Sequence, residues 1–263
     1  MFVKNILMKK IYKIKKNKNK YTIILNDNTS FSFYSDTLIK YNLLKPRVIS
    51  DEEFGEIINY NNYIEAYNVA LKYLTLKLRT KKEVERKLNE YSKDVVENVI
   101  NKLEKMGYLN EIKYIEAFIN EQITLGNKGP VYIIKELEKL GLDNNLILEE
   151  INKINEDIWI EKVEKIIDKR KKSNKLSKKM FVLKTKAYLN NLGYYKKTIE
   201  EVINCIEINE DIDVIKNEYE KVKRKLSRKY EGQKLKEKIK LSLYNKGYNL
   251  ENILEIINND LEK

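Results

Sequence analysis

Leu140-Gly141-Leu142-Asp143, Leu192-Gly193-Tyr194-Tyr195 and Lys246-Gly247-Tyr248-Asn249 are the segments whose reading decides the fold. Each precedes an amphipathic run that ends in paired aliphatics: Leu146 to Ile151, Ile199 to Ile203 and Ile253 to Ile257. The glycines lie 52 and 54 residues apart. A glycine that leaves a helix in the left-handed conformation, followed by an apolar residue that packs back on the last turn, makes a Schellman-type stop. Leu88-Asn89-Glu90-Tyr91 occupies the equivalent place before Val95 to Ile100, without a glycine.

Two further markers share this period. Leu109-Asn110-Glu111, Ile154-Asn155-Glu156 and Ile208-Asn209-Glu210 each offer an Asn to cap a helix and a Glu for its positive first turn. Thr80-Lys81-Lys82-Glu83 has the spacing of a capping box, and Gly129-Pro130, Leu176-Ser177 and Gly232-Gln233 stand where that start recurs. The unit is therefore three helices, predicted four times over residues 61–109, 110–154, 155–208 and 209–263. Such units cannot bury their apolar faces alone, so they are expected to stack into an elongated, curved rod.

Residues 1–60 read differently. Tyr21, Ile23 and Leu25 alternate with polar neighbours, Asp27-Asn28 supplies a turn, and Phe31 and Phe33 alternate with serines, the pattern of a hairpin. The run Ile6 to Lys16 can add another strand before a turn at Lys16 to Lys20. Ser50-Asp51-Glu52-Glu53 then opens a linking helix. The fold class is mainly all-α, in tandem three-helix repeats, with a small N-terminal β-rich module.

Composition agrees and limits the chemistry. Among 263 residues there are only 8 Gly and 2 Pro, while 35% are charged, a balance suited to solvated helices. No His and a single Cys remove Ser-His-Asp and Cys-His catalysis, His-bearing zinc sites and any internal disulfide. No run of apolar residues is long enough to span a membrane, and no signal peptide is legible at the N-terminus, so a soluble cytoplasmic protein is expected. Nucleotide-binding glycine motifs, nucleophile elbows and Cys-x-x-Cys are missing. The doublets Glu149-Glu150 and Glu200-Glu201 point about 100° apart on a helix and read as solvated faces. No catalytic residue, cofactor or metal site is expected. Gly126-Asn127-Lys128-Gly129 has the form of the KH-domain loop, but lacks strands around it and reads as a helix stop and start. Trp159 and the nineteen tyrosines could stack on bases, but Trp159 reads as a packing residue between repeats, Tyr108, Tyr194 and Tyr248 have a structural role at helix stops, and Cys205 reads as a small buried apolar residue.

The net charge of +12 favours an anionic partner, against the alternative that an AT-rich genome inflates Lys throughout. Distribution separates the two. The first 26 residues contain no acid and eight lysines, from Lys4 to Lys20. Further bases gather where a first helix ends and a second begins: Lys77, Arg79, Lys81 and Lys82, then Lys128, then Arg170, Lys172 and Lys175, then Arg224 and Arg228. Recurrence at one corner predicts a basic ridge suited to phosphates or to an acidic protein surface.

Ala70-Leu71-Lys72-Tyr73-Leu74, Leu78-Arg79-Thr80-Lys81-Lys82-Glu83-Val84, Met106-Gly107-Tyr108-Leu109-Asn110-Glu111, Ala117-Phe118 and Lys128-Gly129-Pro130 before Lys135-Glu136-Leu137 follow one another in an order that resembles the RecX regulatory proteins. The likeness covers most of the chain, and the N-terminal hairpin followed by Phe33 to Ile39 is similar to the extension of Gram-positive members. The resemblance implies a modulator of the RecA recombinase: a monomer of stacked three-helix repeats that lies in the groove of the RecA filament on single-stranded DNA and restrains ATP hydrolysis, strand exchange and the SOS response. The chain departs from the family pattern at Asn110-Glu111, where an acid is usual, and in its fourth repeat. A general nucleic-acid-binding module, and more distantly a metal-dependent nuclease, are the rival readings.

Overall fold

The structure is a computed structural model and describes residues 9–208 and 212–260. The expected strand residues Ile6 to Met8, the basic Lys4, the Asn209-Glu210 marker and residues 261–263 lie outside the described residues. Residues 1–114 with 139–143 make one compact unit, and residues 115–138 with 144–263 a second.

The first unit opens with β1 (Lys9–Asn17), β2 (Lys20–Leu25), β3 (Ser30–Tyr34) and β4 (Val48–Ile49), in the antiparallel order β3-β2-β1-β4. Lys18 and Asn28 take positive φ at the two hairpin turns, and Asp27 accepts from the Thr29 amide to close the second. Alternation sends Ile11, Ile23, Leu25 and Phe33 to one face of the sheet. There they join Leu38 of α1 (Ser35–Lys40), Leu43, Ile49 and Ile57 of α2 (Asp51–Leu74) in one core. The buried Asn61 side chain pins α2 to the module, accepting from the Tyr34 amide at 3.0 Å and the Thr37 hydroxyl at 3.2 Å. The capping box expected at Ser50 is half formed. Its hydroxyl accepts from the Glu53 amide, while the Glu53 carboxylate pairs with Arg47.

Helix α2 runs unbroken through residue 60, its second half packing Ala66 and Ala70 against Val84 and Leu88, at the end of α3 (Lys81–Lys87), and Val99 and Leu103 of α4 (Lys93–Lys105). At Thr80 the capping box is complete in both directions.

The second unit is built from α5 (Glu111–Thr124), α6 (Pro130–Lys139), α7 (Asn144–Asn152), α8 (Glu156–Lys171), α9 (Lys178–Leu192), α10 (Lys196–Cys205), α11 (Ile212–Leu226), α12 (Gly232–Asn245) and α13 (Leu250–Asn259), the first four residues of α5 and the last of α6 belonging to the first unit. The expected caps form: Asn110 accepts from the Lys113 amide and Asn155 from the Asp157 amide. Gly126 and Gly129 lie between α5 and α6, as a stop and a start. Trp159 is buried in α8, and Tyr194 and Tyr248 are buried behind their glycines, whereas Tyr108 is exposed. Ile215, Tyr219, Ile239, Leu243 and Ile253 form the core of the last three helices.

The recurring glycines do more than stop helices. Gly193 and Gly247 have φ of 87° and 86°, with the Schellman pairs Tyr194 N–H to Leu189 C=O and Tyr248 N–H to Leu243 C=O. Each also abuts the start of an earlier helix, Gly193 that of α6 and Gly247 that of α9. A Cβ on Gly193 would stand 2.5 Å from the Tyr132 amide nitrogen in α6. The free carbonyls ending α9 are taken up there, Leu192 by the Gly129 amide at 2.8 Å and Gly193 by the Val131 amide at 2.9 Å. Gly247 sits the same way against Ser177 and Lys179, with the Ser177 hydroxyl donating to the Lys246 carbonyl at 2.6 Å, and Gly141 sits against the Lys82 side chain. Two sequence markers, the glycine stop and the second-helix start, are thus the halves of one joint. At Gly193 the C-terminal carbonyls of α9 meet the N-terminal amides of α6, which brings opposite ends of the two helix dipoles together.

Two expectations are corrected. Cys205 is exposed: the buried face of α10 runs through Ile199, Val202 and Ile203, and Cys205 falls off that face. Glu150 is buried rather than solvated, and the Lys153 ammonium at 2.6 Å satisfies its carboxylate.

Candidate partner-binding surface

The basic residues expected to form a ridge fall into two chemical groups. Arg79, before α3, is committed to its own unit. Its guanidinium lies 3.9 Å over the Tyr73 ring and donates to Glu83 at 3.1 Å, and only 13% of the side chain is exposed. Lys81 pairs with Glu104 at 3.1 Å, a bond that raises the lysine pKa and neutralises its field. Arg170 is half-buried, stacked 4.4 Å over Tyr188 and donating to the Thr185 hydroxyl. Lys128 is half-buried with its ammonium 4.5 Å over Tyr132, beside the Gly193 joint.

Lys77, Lys82, Lys172, Lys175, Arg224 and Arg228 form the other group. All six are exposed, and none pairs with a carboxylate among the described residues. In the second unit, Lys172 and Lys175 occupy the corner between α8 and α9, and Arg224 and Arg228 the corner between α11 and α12. Their neighbours Lys221 and Lys223 are neutralised by Glu218 and Asp260. The helix corners therefore keep selected cations unpaired while their neighbours are balanced. Exposed cations of this kind attract anions without fixing a single geometry.

Lys162 of α8 has a different task. Its ammonium donates to the carbonyls of Ile123 and Gly126 at 2.6 and 2.9 Å, closing the C-terminus of α5, and burial lowers its pKa. Among the described residues no cluster of His, Cys, Asp or Glu is arranged to hold a metal ion. No described helix is long and apolar enough to cross a membrane.

Residues 66–103 match the family model described as RecX, first three-helix domain. The chain is 32% identical over 255 residues to the regulatory protein RecX of Staphylococcus carnosus, covering 94% of this chain and 96% of that one. The chain belongs to the RecX family. The regulatory protein RecX of Streptococcus sanguinis is 30% identical over 252 residues, covering 93% and 96% of the two chains. A crystal structure of regulatory protein RecX superposes with a TM-score of 0.64 at 22% identity, over 74% of this chain and 99% of that one. RecX from Lactobacillus salivarius superposes at 0.53 with 28% identity, over 55% and 96%. The tandem helical fold with its N-terminal sheet is thus a RecX fold.

One constellation of tyrosines becomes visible only in the structure. Tyr60, Tyr63 and Tyr67 follow the i, i+3, i+7 spacing of one helical face, which the general abundance of tyrosine hid. They lie on α2 with Tyr41 beside them.

Proposed function

We propose that this chain is a negative regulator of the RecA recombinase, binding the RecA filament on single-stranded DNA in the cytoplasm and restraining ATP hydrolysis, strand exchange and SOS signalling. The observation that carries the reading is 32% identity, across nearly the whole length of both chains, to a protein named regulatory protein RecX. The helical sets, taken as four repeats over 61–109, 110–154, 155–208 and 209–263, supply a row of repeated surfaces for a partner that is itself repetitive. The unpaired bases at the helix corners supply its electrostatics, with Lys77, Lys82, Lys172, Lys175, Arg224 and Arg228 facing phosphate or acidic side chains. Arg79 and Lys81, neutralised within their own unit, hold that unit together instead. Regulation on this reading is by occupancy, and no residue of the chain performs chemistry.

The exposed cations also favour a second reading, general binding of nucleic acid without RecA. RecA-promoted strand exchange, run beside DNA binding without RecA, separates the two. Inhibition by protein well below the RecA concentration supports the regulator. Unchanged strand exchange, with tight salt-sensitive binding to bare DNA, supports the general module.

A further inference from the structure

Four tyrosines of the first unit form a ladder. Ring centroids are 5.7 Å apart from Tyr41 to Tyr60, 5.9 Å from Tyr60 to Tyr63 and 6.4 Å from Tyr63 to Tyr67. All four rings are half-buried. Two lysines stand over them: Lys40 lies 3.6 Å from the centre of Tyr60 and 5.3 Å from Tyr41, and Lys102 lies 4.2 Å from Tyr67 and 5.7 Å from Tyr63. Neither lysine has a carboxylate partner among the described residues, although Glu104 nearby takes Lys81. The first three rings open on a groove of about 730 Å³, whose other walls include Asn59 and Asn98 of α2 and α4.

Tyr41 packs against the core of the sheet and Tyr63 and Tyr67 against that of the helices, and the interplanar angles run from 67° between Tyr41 and Tyr60 through 34° to 20° between Tyr63 and Tyr67, so each ring is fixed on one side and only partly covered. Here each ammonium rests on an aromatic face and remains electrically unpaired. That arrangement suits a ligand offering flat π-faces and negative charge at a regular interval of about one backbone step of an extended strand. We infer that the Tyr41, Tyr60, Tyr63 and Tyr67 ladder, with Lys40 and Lys102, is a stacking platform for single-stranded nucleic acid. On binding, bases displace the ammonium groups from the rings, and the freed lysines turn to the phosphates. Glu56 and Asp94 also line the groove. Their carboxylates repel phosphate and accept from amino and imino groups of base edges, so the strand sits with bases toward the groove and backbone on the lysine side. The platform is separate from the helix-corner bases and does not depend on RecA.

The test uses the full chain without RecA, with a labelled oligothymidylate of about 12 nucleotides and an abasic strand of equal length and charge as probes. The parent is expected to bind the base-bearing strand at least about tenfold more tightly. Tyr60→Leu with Tyr63→Leu should abolish that difference, and Tyr60→Phe with Tyr63→Phe should retain it. Lys40→Gln with Lys102→Gln should weaken both strands alike and flatten the logarithmic salt slope by about 1.4. Acylation footprinting of the parent adds a readout that needs no variant: oligothymidylate should protect Lys40 and Lys102 more than the exposed Lys196. Equal affinity of the parent for the two strands, no binding of oligothymidylate, no such protection, or a folded leucine variant that keeps the base preference would each overturn the platform. A RecA assay that fails while this one succeeds removes the regulatory reading and leaves the platform standing.

Discussion

Replacing Gly193 by Ala tests the joint between the end of α9 and the start of α6. Gly193 has φ of 87°, a conformation that costs an alanine about 1–2 kcal/mol. The new Cβ would also meet backbone, the Tyr132 nitrogen at 2.5 Å, where no flexible side chain can swing aside. Relieving the overlap separates α9 from α6 and strains the bonds from Gly129 and Val131, each worth about 1 kcal/mol net. The total is about 3–5 kcal/mol, a large share of the 5–15 kcal/mol typical of a domain. Gly107→Ala isolates the conformational part, since Gly107 has φ of 75° with nothing within 4 Å of its would-be Cβ, and should cost only about 1–2 kcal/mol. Gly55→Ala, in the open on helix α2, should stabilise by about 0.5–1 kcal/mol. The assay is urea unfolding. Because two units need not unfold together, fluorescence of Trp159, the only tryptophan, follows the unit that holds Gly193, and circular dichroism follows the whole chain. With a urea slope of about 2 kcal/mol/M, the Gly193→Ala midpoint should fall by about 2 M. A shift no larger than that of Gly107→Ala would refute the close approach as the reason for the recurring glycines.

Neutralising Lys172, Arg224 and Arg228 to Gln should leave the thermal midpoint nearly unchanged and, if the three contact phosphates of single-stranded DNA, flatten the logarithmic salt slope by about 2. Arg79→Met should do the opposite, destabilising the first unit by about 1–3 kcal/mol as Glu83 and Tyr73 lose their partner, with the salt slope intact. Burial pushes the Tyr194 hydroxyl up to about 12 from 10.0, so its contribution to stability is complete below pH 10 and is lost as pH rises from 10 through about 12. Stability against unfolding, measured across that window, should fall more steeply in the parent than in Tyr194→Phe; equal slopes would contradict the assignment.

Local physics was legible in the sequence. The Thr80 capping box, the Asn155 cap, the glycine stops and the N-terminal hairpins depend on neighbours a few residues away, and all formed as the spacing implied. What sequence left unread were relations across long separations. Gly193 meets Tyr132, Lys81 finds Glu104, and α1, the turn residue Leu43 and β4 complete a core whose other members lie in β1 to β3 and α2. Composition misled in two places. Counting Arg79 among free surface cations ignored the Glu83 four residues on, a pair that helix geometry alone suggests. The general abundance of tyrosine concealed the face shared by Tyr60, Tyr63 and Tyr67, whose cations, Lys40 and Lys102, are remote in sequence from one another.

The regulatory reading is tested most directly by the rate of RecA-catalysed ATP hydrolysis on single-stranded DNA, measured as this protein is titrated in. The account predicts a progressive fall in rate that is well advanced while the protein is still substoichiometric to RecA, with no hydrolysis by the protein alone. A rate that stays at the RecA-only value through to saturating protein would contradict it.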